Sequence, residues 1–297
     1  MRSINALSLT TEVNTWLASS RYPRILHVFE RACNLINEHR DVLSIVTSQI
    51  GNGPFNIVVE DDVLFSDRLS RESLISICSH QLHFGDLIID AVDAKLWNPR
   101  PDWEVLHARR DYITELLLTN HQKCGLDMPF TKTTQGYSTT TFNPNLPITN
   151  YKFSNSLVSS IATADLSSSL TAVKKLAGLG IGLTPSGDDF IMGAILAAWI
   201  IHPPDVVTVL AEEITNIAAP LTTSLSAAWL RSAGRGEAGI LWHEFFKAVL
   251  ATENIELPIT KLLSVGETSG ADALAGFFSV ISTFNERIPS AVTNCAF

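Results

Sequence analysis

The sequence predicts an α+β protein, with an N-terminal antiparallel β-barrel-like lobe followed by an α-helical C-terminal domain. Three observations carry this. Between about residues 25 and 97, short segments alternate apolar and polar residues in period two and are separated by turn residues. After Asn155, apolar residues recur at helical spacing in segments that stop at glycine or proline. Between these regions the composition shifts to Thr, Asn, Pro and Gly, with no acidic residue between Asp127 and Asp165. The implied division is 1–122 for the β-rich domain with a closing helix, 123–154 for a linker or long loop, and 155–297 for the helical domain.

Length and composition bound the function. A chain of 297 residues, 46% hydrophobic and 17% charged, can bury a large core. Its net charge of −9 argues against a surface for duplex nucleic acid or an anionic membrane, both of which need basic stripes, so neither is expected as a partner. Cys33, Cys78, Cys124 and Cys295 lie far apart without a C-x-x-C pair, which argues against a zinc ribbon or disulfide framework and fits a cytoplasmic protein. The N-terminus lacks a basic region followed by an apolar core, and the longest apolar run, 190–201, is too short to span a bilayer. A homo-oligomer remains open.

The β-region reads as RILHVFERACNLI, VLSIVTS, NIVVEDDVLF and GDLIIDAVDAKLW. Gly51-Asn52-Gly53-Pro54 is a turn signal that would join VLSIVTS to FNIVVE as a hairpin, and one short helix is expected over 70–79. WNPRPDW closes the region, and helical spacing follows at Val105, Ile113, Leu116 and Leu117. In the second half Asp165 is placed to cap a helix, the next helix runs from Gly187 to His202 before Pro203-Pro204, and others follow over 205–217, 221–232, 239–251 and 269–284.

The most constrained stretch is GLGIGLTPSGDDFIMG, 178–193. Gly178, Gly180 and Gly182 permit positive φ and close approach, Pro185 stiffens the turn, and Ser186 sits three residues before Asp189 in the spacing of a capping box. A glycine-rich loop feeding a helix N-terminus, here with Thr184, Ser186 and Gly187, suits a small anion such as phosphate. Asp188 and Asp189 already occupy the place such an anion would take. Two readings stay open: the carboxylates cap a core helix, or the pair holds a cation, for which Mg²⁺ is the candidate. Neither a Walker loop nor a G-x-G-x-x-G fingerprint is present.

VGETSGADALAGFF repeats the signature. Ser186-Gly187-Asp188-Asp189 with Gly193, and Ser269-Gly270-Ala271-Asp272 with Gly276, both read S-G-x-D-x-x-x-G, preceded by Thr184 and Thr268. The spatial hypothesis is that the two helix starts converge on one polar pocket, with Asp188, Asp189 and Asp272 as catalytic candidates and Gly180, Gly182, Thr184, Ser186, Gly187, Thr268, Ser269 and Gly270 as substrate-binding ones. The competing reading is that Gly193 and Gly276 only let two helices cross tightly while the Ser and Asp side chains satisfy backbone amides. Between the copies, Thr222, Thr223 and Ser226 share a helix face with Arg231, a candidate clamp for phosphate or carboxylate. Hydroxyls on such a face usually bond back to their own helix. No nucleophile triad and no H-x-x-x-H spacing is legible.

At GLGIGLTPSGDD and GETSGADALAG the chain resembles a family of bacterial cytoplasmic proteins that includes the third subunit of the oxamate carbamoyltransferase of anaerobic allantoin breakdown, some members being labelled carboxylases. ACNLI and GNGPFNIVV resemble the family's β-barrel-like lobe. Ile181 stands where the family often has Pro, and Glu267 where a smaller or imidazole side chain is common. The resemblance implies carbamoyl transfer with partner subunits, on a substrate such as carbamoyl phosphate, phosphate or an oxamate-like acid. Such chemistry needs cradled phosphate oxygens and a polarised carbonyl rather than a covalent nucleophile. A structural or assembly subunit and a Mg²⁺-assisted carboxylase-like enzyme are the alternatives.

Overall fold

The computed structural model describes residues 2–60, 63–121, 132–133, 136–137, 151–252 and 254–287. The protein is α+β, and its chain divides into two compact units. One comprises the residues up to Pro101 together with Glu237–Ile240; the other runs from Asp102 to Gly236 and from Leu241 onward.

The first unit is a curled mixed sheet built from β1 (Arg2–Leu9), β2 (Arg24–Val28), β3 (Ala32–Ile36), β4 (Val42–Thr47), β5 (Asn56–Val59), β6 (Ser76–Cys78), β7 (Gln81–Phe84), β8 (Leu87–Asp90) and β9 (Lys95–Leu96), with helix α1 (Thr11–Ser19) after the first strand. The strand order is β2-β3-β4-β5-β1-β8-β7-β6, with β9 also paired to β1. β1 joins the two halves: Arg2–Asn5 pairs with β8, and its register shifts between Ala6 and Ser8, where it pairs with β5. Val13, Trp16 and Leu17 of α1 enter the same core as Leu35, Leu43, Ile45, Ile57, Phe65, Leu82 and Ile89.

Two local expectations fail here for identifiable reasons. β4 and β5 are parallel, not a hairpin. The turn residues close two turns in succession: Ile50 and Gly51 donate to the Thr47 carbonyl, and Asn56 donates to that of Gly53 at 3.2 Å. Two reversals restore the original direction, and both strands are buried along their whole length, as parallel strands are. The helix expected over 70–79 is absent. Ser73 Oγ accepts from the Ser70 N–H at 3.0 Å, a local bond that competes with helical pairing, and Ser76–Cys78 is strand β6.

The second unit is helical: α2 (Trp103–Ala108), α3 (Arg110–His121), α4 (Tyr151–Ala162), α5 (Leu166–Leu176), α6 (Ser186–Ile201), α7 (Pro204–Ala218), α8 (Ser224–Gly234), α9 (Ile240–Ala251), α10 (Glu256–Leu263) and α11 (Ser269–Asn285). The stretch read as a linker, 123–154, falls mostly outside the described residues; within it Lys132–Thr133 pairs antiparallel with Gly136–Tyr137, and α4 begins at Tyr151. α2 and α3 fall in this unit rather than with the strands, because their apolar faces pack on α6 and α11. Trp103 stacks on Trp199 of α6 at 5.9 Å and meets Phe246 of α9 edge-on at 5.2 Å.

α6 is the axis of this unit. Every residue but Met192 is buried, so the helix is apolar on all sides beyond its first turn. Its main partner is α11. The two cross where each carries a glycine: a Cβ on Gly193 would overlap the Ala273 backbone, and one on Gly276 would overlap that of Phe190. That close crossing brings the two helix starts together.

Candidate functional site

The loop before α6 and the loop before α11 are built alike. Leu179 donates to the Leu176 carbonyl at 3.0 Å and accepts from Gly187 at 2.8 Å. Val265 donates to the Leu262 carbonyl at 3.1 Å and accepts from Gly270 at 3.1 Å. A Cβ on Gly187 or Gly270 would overlap the carbonyl of Leu176 or Leu262 respectively, so each Ser-Gly pair needs its glycine for the same close approach. The two copies are one structural unit used twice.

The serines are not the caps that their spacing suggests. Pro185 and Thr268 occupy the N-cap positions, neither with a side-chain cap bond, and Ser186 and Ser269 are the first residues of their helices. Pro185, held at φ −55° and ψ 139°, sets the entry and leaves the Ser186 hydroxyl for another partner. The hydroxyls cross over. Ser186 and Thr268 bond to Asp272, while Ser269 and Thr184 bond to Asp189. The Thr184 and Ser269 hydroxyls are themselves 2.8 Å apart. The two helix starts therefore meet, each serving the other's carboxylate.

Burial governs the charge of this cluster. Asp189 is pushed up to about 8, first by burial, against the hydrogen bond from Ser269, and further by the negative charges of Asp272 and Asp188. Asp272 is raised by burial in spite of Ser186 and Thr268. Asp189 Oδ2 and Asp272 Oδ2 are both buried with no hydrogen-bond partner among the described residues.

Asp188 turns the other way. Its Oδ1 accepts from the Gly178 N–H at 2.8 Å, and its Oδ2 from Ser226 Oγ at 2.8 Å and from Thr222 Oγ1. Burial raises its pKa nonetheless. Next to it Thr223 caps α8, accepting from the Ser226 N–H at 3.1 Å and donating to the Leu183 carbonyl at 2.5 Å. Asp188 thus ties the glycine loop to the start of α8. No group of three or more His, Cys, Asp or Glu among the described residues is placed to hold a metal ion, and Asp188 and Asp189 serve separate partners.

The sequence supplies the frame for this geometry. A family model described as oxamate carbamoyltransferase subunit AllH matches residues 176–281, and one described as the AllH family N-terminal domain matches 5–96. The chain belongs to the AllH family. No solved structure matches it. The AllH match opens at Leu176, whose carbonyl faces Gly187, and closes in α11, so it takes in both Ser-Gly-x-Asp units and the α8 start between them.

Within this AllH segment the structure unites most of the residues expected at the site. Thr184, Ser186, Asp189, Thr268, Ser269 and Asp272 meet where the two helices start, Gly187 and Gly270 pack instead against the Leu176 and Leu262 carbonyls, and Asp188 and Thr222 form the adjoining latch. Gly180 and Gly182 lie in the exposed loop at φ +126° and +95°. Arg231 is not brought in: it is exposed in the last turn of α8, about 7.5 Å of helix rise from Ser226. Sequence reasoning missed the crossing of hydroxyls between the copies and the roles of the Leu176, Leu262 and Leu183 carbonyls; the paired S-G-x-D spacing was the one signal available.

Proposed function

We propose that this chain serves as the AllH-type subunit of an oxamate carbamoyltransferase and that it binds a small anionic reactant, carbamoyl phosphate, phosphate or an oxamate-like acid, where α6 and α11 start. The observation that carries the reading is the 2.8 Å contact between Thr184 and Ser269, which joins two helix N-termini and the glycine loop at one point. Helix N-termini favour negative charge. The backbone N–H groups of Gly180 to Thr184 have no acceptor among the described residues, and successive free amides in a loop with positive-φ glycines form an anion nest.

The carboxylates at first oppose an anion. Two features answer the objection: burial pushes Asp189 up to about 8, which favours its neutral form at neutral pH, and Asp188 is enclosed by three donors. A neutral acid in an apolar site is a hydrogen-bond donor, and donors aimed at a developing oxyanion are what acyl transfer needs. In the reaction that the family description suggests, the oxamate nitrogen attacks the carbamoyl carbon, a C–N bond forms, the C–O bond to phosphate breaks, and the nitrogen loses a proton. Loop amides suit the departing phosphate oxygens, and the hydroxyls with Asp189 suit the carbonyl oxygen.

A second reading, a purely architectural joint, draws on the reciprocal contacts of Gly193 and Gly276. Ile181→Asp separates the two. Ile181 is 86% exposed, so the change adds a charge to the loop without disturbing the crossing. The site reading expects at least a tenfold loss of phosphate affinity by calorimetry with an unchanged melting temperature; unchanged affinity would sink it.

A further inference from the structure

Asp189 and Asp272 are each 5% exposed, and the Oδ2 atom of each has no partner among the described residues. Buried polar atoms are almost always partnered, so two orphaned carboxylate oxygens at one helix crossing point to something that binds there. Resting on the function proposed above, we propose that Asp189 and Asp272 act as a donor–acceptor pair that reads a primary amide, the Asp189 O–H donating to its carbonyl oxygen and the Asp272 carboxylate accepting from its –NH₂.

The chemistry follows from having two acids in one buried place. The charge of Asp272 is among the causes that keep Asp189 protonated, so the pair ionises in turn and not together. Half-protonated, it presents one O–H and one carboxylate oxygen. A primary amide offers the matching set, one acceptor and one donor side by side. A carboxylate or phosphate group offers acceptors alone, and would set negative charge against Asp272. Oxamate and the carbamoyl group, both named in the family description, each carry –CO–NH₂. Thr184, Thr268 and Ser269, which bond to the pair, are half-buried, and the preceding segments 180–182 and 265–267 are exposed, which gives the amide a direction of approach.

The test uses the assembled carbamoyltransferase containing this chain, titrated by calorimetry with oxamate and with oxalate, in which oxygen replaces the –NH₂. Wild type is expected to bind oxamate at least tenfold more tightly. Asp272→Asn puts a donor where the carboxylate accepted, and the preference is expected to reverse toward oxalate. Ser186→Ala, a milder change that strips one donor from Asp272, is expected to lower the ratio severalfold if Asp272→Asn proves unstable. An unchanged ratio in a folded variant overturns the amide assignment and leaves the anion site standing. Should oxamate, oxalate and phosphate all fail to bind the wild type, the proposed function falls with it. A rise in melting temperature with Mg²⁺ alone, lost in Asp272→Asn, assigns the pair to a cation and overturns the proposal.

Discussion

Asp188 and Asp189 are adjacent on α6 and do different work. Asp188 spends both oxygens on Gly178, Thr222 and Ser226, and so fixes the loop; Asp189 keeps one oxygen unspent beside the other helix. A cap needs only one acid, and in the structure the N-cap position of α6 is taken by Pro185 with no side-chain cap bond. Which of the two acids faces away depends on the turn of the helix and on a threonine 34 residues further on. The charge state of Asp189 gives a pH prediction. Its folded pKa of about 8 lies above the ordinary aspartate value of 3.8, so between these the folded state binds the extra proton, and stability falls as pH rises. Asp188 and Asp272, also raised, act in the same direction. Wild type is expected to lose melting temperature from pH 4 to pH 8, and Asp189→Asn to lose less. One pKa unit corresponds to ~1.4 kcal/mol, a shift of about 3–6 °C at this size. Parallel melting profiles of the two proteins would contradict the assignment.

At the scale of elements, the repeated S-G-x-D-x-x-x-G spacing announces two helices of one kind, and the structure pairs them through the glycine about two turns inside each. Their antecedent helices α5 and α10 each present, in the last turn, a leucine carbonyl that a glycine must approach, Leu176 and Leu262. The crossing of Ser186 to Asp272 and Ser269 to Asp189 was not legible, because a capping code is local and these bonds join residues far apart in sequence. Gly51–Pro54 misled for a related reason: turn residues mark where the chain bends, not how many bends follow. The crossing is testable directly. Gly193→Ala drives a methyl group into the Ala273 backbone and is expected to cost about 1–3 kcal/mol, read as a melting temperature lowered by several degrees. A variant as stable as wild type would show that α6 and α11 are not held at this separation.

Across the whole molecule, the change from period-two to helical spacing was enough to establish the α+β class, since the two periods belong to different elements. The internal boundary was less legible. WNPRPDW looks like an end, yet Trp103 already belongs to the helical unit, where it stacks on Trp199 and its indole N–H donates to the Gly236 carbonyl at 2.7 Å. Glu237–Ile240 belongs instead to the strand-rich unit, with Ala238 donating to Pro99 and Ile240 to Asn52, both at 2.9 Å. Such long-range pairings leave no trace in composition. No helix among the described residues is long and apolar enough to cross a membrane. What organises the helical unit is the meeting of two equivalent helix starts. The most direct test of that site is a calorimetric titration of carbamoyl phosphate into complexes carrying wild-type chain or the double variant Asp189→Ala with Asp272→Ala, alongside their melting curves. The expected result is lost binding in a double variant that still melts cooperatively; full binding in that variant would contradict the account.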